Sequence, residues 1–315
     1  MMKYQELQHH IKFRITNYSF FSFILRTPCV IALFDGKNGK FGLADRLRHC
    51  LSLYLFCKYH NLSFKIHHIS PFRLNHILLP NKVNWVLNDS DFSKSIYRTR
   101  TMEIKSYYKA LGIDENTEGK TQFSQLSRLI KSCKYQYHVY GNAHFLTEQW
   151  KEAFDELFIP SKELNNLING LKLPISYEAV TLRFQQLLGD FKEDGFPILP
   201  DLEQNKLIEK CVKEIEYLKN SMYFKTDIIL VTSDSVKFLN RIKMLPYIKV
   251  IEGERAHPGT PLQHTEHTFL NSFVDLFALK NALKVTLLKT GEMYLSGFPE
   301  IAARIGNQQY VIHSF

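Results

Sequence analysis

The second half of the chain repeats one pattern, a short apolar run followed by a longer stretch whose apolar residues recur every three to four positions. Strand-like runs fall at 179–184 (AVTLRF), 227–232 (DIILVT), 248–251, 284–288 and 310–313. Helical patterns occupy 202–219, 236–245, 268–283 and 298–305, and in the first of these Leu207 or Ile208, Cys211 or Val212, Ile215 and Leu218 mark the buried stripe. Strands separated by helices cannot pair through tight hairpins. They pair in parallel through crossovers, which excludes sandwiches, meanders and bundles and predicts a doubly wound α/β sheet.

The first half is α/β with less regularity. Residues 30–34 (VIALF) read as a buried strand, the segment 35–42 (DGKNGKFG) as a turn-rich loop, and Leu43, Leu47, Leu51 and Tyr54 or Leu55 as one face of a helix. Further strands are expected at 63–69, 85–87 and 135–140, a turn at Pro71, a short helix near 74–79, a polar loop at 114–124, and helical segments out to about Gly170. At about 150 residues per domain, 315 residues suggest two domains. The Gly-, Pro- and Ser-containing stretch 168–176 (INGLKLPIS) is the expected seam, giving Rossmann-like domains over 1–170 and 171–315 that face each other across a cleft.

A globular core is affordable, because 45% of residues are hydrophobic and 23% charged. Forty Lys+Arg against thirty-one Asp+Glu leave a formal charge of +9, which favours an anionic partner such as a nucleic acid, a lipid surface or a nucleotide diphosphate. The cations are dispersed and no RNA-binding fingerprint is present, so nucleic acid is not expected as a partner. Five cysteines without a CxxC pair read as reduced and cytosolic. The apolar run 18–34 is interrupted by Arg26, Thr27 and Pro28 and is not a membrane span. Segment 9–26 reads either as an interfacial helix with His9, His10, Lys12 and Arg14 on its polar side, or as a helix covering the core.

Chemistry-bearing residues gather where loops follow strands. Gly36, Gly39 and Gly42 sit between a strand and a helix, where backbone N–H groups receive an anion or polar ring, or where the chain simply turns. The spacing matches neither the Walker A loop nor GxGxxG. Asp45 suits the first turn of the following helix, ahead of Arg46 and Arg48. Arg183 ends the AVTLRF run, at the sheet edge that binds ligands; its fork suits a diphosphate, or a salt bridge. Gly189, Asp190, Ser233 and Asp234 fall at the same edge. Asp275 borders an apolar helical stripe and needs a partner, either a ligand N–H or a neighbouring Arg or Lys. Ser296, Gly297 and Phe298 open the helix 298–305, with Ser296 and Glu300 spaced for capping at a helix end that also suits phosphate. Asp89 and Asp91 resemble a metal-binding DxD pair but also an ordinary loop, and His257, His264 and His267 lack a fourth ligand, so no metal is expected. No GxSxG elbow occurs, which leaves covalent hydrolase chemistry without support.

Taken in order, GKFGLADRLRHCLSLYLF, VTLRFQQLLGDFKE, VTSDS, SFVDLFALKNA and YLSGFPEIAARIG resemble the fucosyltransferase superfamily of GT-B glycosyltransferases, which includes the nodulation, protein O-linked and plant cell-wall enzymes. The resemblance implies two facing Rossmann-like domains, a GDP-sugar donor held by the C-terminal half, a glycan or lipid-linked oligosaccharide acceptor approaching the N-terminal half, and inversion without a metal or other cofactor. It assigns Arg183 to the donor diphosphate and leaving group, Asp275 to the guanine, Ser296, Gly297 and Phe298 to the phosphates, and Gly39, Gly42 and Asp45 to a loop reaching donor and acceptor. Ser233 and Asp234 complete the expected donor-binding set, and Asp45 is the expected acceptor base. Two departures stand out: Thr181 occupies the first position of the family's His-x-Arg-x-Gly-Asp motif, and QQLL separates Arg183 from Gly189 and Asp190. The setting implied is surface-polysaccharide assembly in a bacterium, by a cytoplasmic protein touching the inner face of the membrane peripherally. A catalytically silent nucleotide- or glycan-binding relative is the first alternative, and a nucleic-acid-binding protein, suggested by the +9 charge and sixteen Tyr, the second.

Overall fold

The computed structural model describes residues 4–22, 26–39, 41–106, 112–130, 134–191, 197–253, 255, 266–291 and 293–315. The chain forms two compact units, one of Met1–Phe41 with Asp45–Ile159, the other of Gly42–Ala44 with Pro160–Phe315.

In the first unit the strands are β1 (Cys29–Phe34), β2 (Phe64–His68), β3 (Leu78–Pro80), β4 (Thr99–Ile104), β5 (Gln136–Gly141) and β6 (Phe158–Pro160). Its helices are α1 (Tyr4–Asn17), α2 (Leu43–Tyr59), α3 (Leu74–Ile77), α4 (Glu115–Leu129) and α5 (Trp150–Leu157). β2, β1, β5 and β4 lie side by side in that order, all parallel, and β3 pairs with β6. Every residue of β1 is buried, as the unbroken apolar run demands of a central parallel strand.

Two expectations for this unit are corrected, and for α1 the core-covering alternative is the one realised. The polar segment 114–124 is not a loop but the start of α4, capped by the Asp114 carboxylate, which accepts from Thr117 N–H at 2.9 Å. Its buried face carries Gly119, Gln122 and Leu126, and the Gln122 amide accepts from His144 N–H at 2.8 Å and donates to Lys105 O at 3.2 Å. A helix whose inward residues are glycine and a bonded amide leaves little apolar periodicity. Residues 85–87 form only an isolated bridge, Ile66 to Val86, and the strand beside β5 is instead β4, whose inward positions include Thr99 and Thr101. In α1 the polar side is not uniformly outward. Arg14 reaches across to Ile96 O at 2.8 Å and Thr99 O at 3.1 Å, and Phe13 meets Tyr140 edge-on, so α1 packs on this unit.

The second unit contains α6 (Lys162–Gly170), β7 (Glu178–Leu182), α7 (Asp201–Asn220), β8 (Ile229–Ser233), α8 (Val236–Ile242), β9 (Ile248–Val250), α9 (Glu266–Lys280), β10 (Lys284–Lys289), α10 (Phe298–Gly306) and β11 (Gln309–Ser314). The sheet is parallel throughout, in the order β11-β10-β7-β8-β9. One face of β7 and β8, through Val180, Leu182, Ile229 and Val231, packs with Ile208, Cys211 and Ile215 of α7 and Phe238 and Ile242 of α8. The units part at Ile159 and Pro160 rather than near residue 170, because α6 packs against α9.

Candidate functional site

In the second unit the chain runs outward from β7 through β8 to β9, then crosses to the other flank for β10 and β11. The connections leaving β7 and β10 therefore diverge, which opens a crevice at the carboxyl ends of these two neighbouring strands. Arg183 follows the last residue of β7 and Thr290 the last residue of β10. The two strand ends are joined by a hydrogen bond from Tyr294 N–H to Arg183 O at 3.1 Å.

Asp234, just beyond β8, holds Arg183 in this position. Its buried carboxylate accepts from the N–H groups of Phe184 at 2.9 Å and Gln185 at 2.7 Å, and Arg183 Nη1 lies 3.2 Å from Oδ2. Burial raises the Asp234 carboxyl above its usual range, opposed by the Arg183 guanidinium and the two backbone N–H groups. The guanidinium carbon sits 4.4 Å from the ring centre of Phe191, so a carboxylate and an aromatic face orient the side chain, which stays 19% exposed. The segment QQLL (185–188) forms a turn entered through Gln185 at φ +54°, which sends Leu187 and Leu188 into the core. The loop's far end is tied down as well, because Asp190 Oδ2 accepts from Ser235 Oγ at 2.9 Å and Lys237 N–H at 2.7 Å. Ser233 Oγ accepts from Ser235 N–H at 3.1 Å. The segment 233–235 is thus a clamp on the arginine loop.

Ser296, Gly297 and Phe298 lead into α10 on the same connection as Tyr294. Ser296 is not the N-cap: Gly297 is, and Ser296 Oγ accepts from Phe298 N–H at 3.3 Å in a local serine turn. Glu300 does not complete a capping box but pairs with Arg304 one turn later at 3.0 Å.

Asp275 of α9 has a protein partner that sequence reading did not identify. Arg255 Nε and Nη2 approach its two carboxylate oxygens at 2.9 and 2.8 Å, with both side chains buried. Arg255 also donates to Ile251 O at 2.7 Å and to Gly253 O, fastening the segment after β9 to α9. Asp234 lies within electrostatic reach of the same guanidinium. Arg255 carries no periodic signal, and its pairing depends on a contact 20 positions away.

In the first unit the glycine loop follows the central strand β1. Gly36 and Gly39 adopt φ +78° and +75°, a conformation that costs other L-residues strain, and a Cβ on Gly36 would lie 2.6 Å from Ser70 Oγ. Gly42, which groups with the second unit, precedes α2 without a positive φ. Asp45, in the first turn of α2, pairs with Arg48. Arg46 is buried and structural. It donates to Phe41 O at 2.8 Å and Ser70 O at 2.6 Å and contacts His68 Nε2 at 3.0 Å, bracing the loops after β1 and β2; burial brings its pKa down to about 10. His49 accepts from Ala143 N–H at Nδ1 and therefore donates from Nε2 to Val139 O, each at 3.0 Å.

Asp89 pairs with Arg73 at 2.9 Å, and Asp91 Oδ2 accepts from Asn88 Nδ2 at 3.2 Å. His257 and His264 lie outside the described residues, as does the side chain of His267. Cys29, Cys50, Cys57 and Cys211 are free and buried, and Cys133 lies outside the described residues. Among the described residues no helix is long and apolar enough to cross a membrane.

A parallel, doubly wound unit with a braced arginine at its switch point, following a second parallel α/β unit, has the fold of the GT-B fucosyltransferases. The structure of NodZ alpha-1,6-fucosyltransferase soaked with GDP-fucose aligns at TM-score 0.54 with 11% identity, over 89% of this chain and 93% of that one. The same enzyme co-crystallized with GDP aligns at TM-score 0.53 with 12% identity, over 88% and 92%. The apo form of POFUT1 aligns at TM-score 0.49 with 10% identity, over 92% and 99%. At 11% and 12% identity the likeness to NodZ is one of fold. No protein-family model and no curated protein matches the sequence.

Proposed function

We propose that this protein is an inverting glycosyltransferase that moves a sugar, fucose from GDP-fucose, onto a hydroxyl of a glycan or lipid-linked oligosaccharide in bacterial surface-polysaccharide assembly. The observation that carries the reading is the placement of Arg183 at the β7/β10 switch point, oriented by Asp234 and Phe191. The fold alignment with an enzyme whose crystals were soaked with GDP-fucose supports the choice of donor.

As the anomeric C–O bond breaks, its electron pair moves to the β-phosphate oxygen while the acceptor oxygen attacks the opposite face. Arg183 meets the growing phosphate charge together with the N-terminal end of α10 at Ser296, Gly297 and Phe298. A preorganised cation at that point contributes roughly 2.7–4 kcal/mol to lowering the barrier. Gly39 and Gly42 border the donor and acceptor. Asp45 takes the acceptor proton, and its contact with Arg48 keeps the carboxylate turned along α2 until then. Asp275, braced by Arg255, retains lone pairs to accept from the guanine edge. Ser233 and Asp234 act on the donor through the arginine loop they clamp. The reaction uses the GDP-sugar as co-substrate with no further cofactor, and the cytoplasm is its setting.

Arg183→Ala is expected to lower kcat/KM for transfer from GDP-fucose about 10²–10³-fold while circular dichroism shows the fold retained, with a lowered unfolding midpoint because buried Asp234 loses its counter-charge. Transfer at the wild-type rate by this variant would remove the mechanism. Asp45→Asn is expected to reduce kcat about 10²–10⁴-fold, with little change in the affinity for GDP.

A further inference from the structure

Beyond the donor site, α1 and the turn after it are tied to the segment 94–98. Arg14 reaches Ile96 O at 2.8 Å, Ser19 N–H donates to Lys94 O at 2.7 Å, and Ile96 N–H donates to Ser19 O at 3.1 Å. The rings of Phe20 and Tyr97 then meet edge-on with centres 6.3 Å apart. These ties hold α1 by its inner side, through Phe13, Arg14 and Tyr18, and turn the opposite side outward.

What faces outward is apolar. Ile11 and Ile15, one helical turn apart, are 48% and 55% exposed, Phe21 is 89% exposed and Tyr97 is 54% exposed. Aliphatic and aromatic side chains concentrated on one short stretch exceed the scattered apolar exposure normal for a surface. Cations border them: Lys12 on α1, and Lys94 and Arg98 on the neighbouring segment, are all exposed. The acidic side chain of Asp91, close by in sequence, is hydrogen-bonded to Asn88. Aromatic rings and isoleucines edged by lysine and arginine match the boundary between headgroups and acyl chains, with the rings at headgroup depth and the cations on lipid phosphates.

We infer that this surface docks the protein on an anionic lipid bilayer. The charge pattern favours this occupant over a second copy of the chain, because two such faces would bring Lys12, Lys94 and Arg98 against their own kind. The docking surface lies wholly in the first unit and assumes nothing about the donor.

The test is co-sedimentation of the full chain with vesicles of phosphatidylcholine alone and of phosphatidylcholine with phosphatidylglycerol. The expected result is association with the anionic vesicles, weakening as salt is added. Lys94→Gln together with Arg98→Gln should weaken it about 30-fold, at about fivefold per neutralised cation. Phe21→Ser together with Ile15→Ser should weaken it by a similar factor at equal lipid charge, with circular dichroism and thermal unfolding confirming that both variants are folded. The inference is overturned if the wild type ignores anionic vesicles, or if both variants bind as it does. A concentration-dependent dimer that Phe21→Ser abolishes would overturn it too, by showing that a second copy covers the face.

Discussion

Asp234 is one carboxylate that braces the cation to which the proposed mechanism assigns the donor diphosphate. It accepts from two consecutive backbone N–H groups and forms an ion pair with Arg183, so removing its charge weakens the hold on those donors and frees the guanidinium to wander. Asp234→Asn is expected to lower kcat about tenfold or more, and in an Arg183→Ala background to cost almost nothing further, because both changes act through one cation. Losses that multiply in the double variant would show Asp234 to be merely structural. The Asp275 and Arg255 pair gives the contrasting case. Asp275→Asn leaves a buried guanidinium short of its counter-charge, so a stability loss of about 3–5 kcal/mol is expected by chemical denaturation. Arg183 and Asp275 were both legible in sequence as groups needing partners. Their actual partners, Asp234 and Arg255, were not, because each pairing is made by backbone segments far apart along the chain.

At the scale of elements, the first unit is built around neutral imidazoles. His49 of α2 bonds the backbone after and within β5, and His138 of β5 accepts from Tyr18 OH at 2.7 Å. Burial is the main cause that brings His49 down to about 4 and His138 down to about 3. Above pH 6.5 both folded and unfolded chains carry these rings neutral. As pH falls toward 4 the unfolded chain binds protons that the folded one refuses, so stability is lost over that window, roughly 3 kcal/mol of it through His49. Thermal unfolding between pH 7 and 4 should show this decline, and His49→Gln should flatten it. The strands and helices of the second unit lay close to their sequence positions, since buried parallel strands are unbroken apolar runs. α4 and β4 were hidden for the converse reason: Gln122, Gly119, Thr99 and Thr101 face inward, and polar or missing side chains erase the hydrophobic period.

For the whole molecule, the nucleotide is the most informative observable. A ligand that binds only the folded state raises its stability in proportion to the logarithm of its concentration over Kd. Among GDP, UDP, dTDP and CMP, GDP is expected to raise the unfolding midpoint, and Asp275→Asn to shrink that rise more than it shrinks a rise from pyrophosphate. A shift with UDP and none with GDP would exclude the guanine role of Asp275. On the proposed function, the +9 charge that first suggested an anionic partner divides between the donor diphosphate, assigned to Arg183, and exposed cations such as Lys94 and Arg98.

The sequence by itself determined the parallel α/β architecture and the strand-end placement of Arg183, Ser233 and Asp234, because hydrophobic period and strand-to-loop order are local properties. Tertiary structure alone decided that Asp234 turns inward to brace Arg183, that Arg255 meets Asp275, that Ser296 yields the cap to Gly297, and that Arg14 lies beneath α1. The physical reason is that a hydrogen bond or ion pair requires two groups within about 3 Å in a fixed orientation, a condition set by strand register and loop path rather than by residue type.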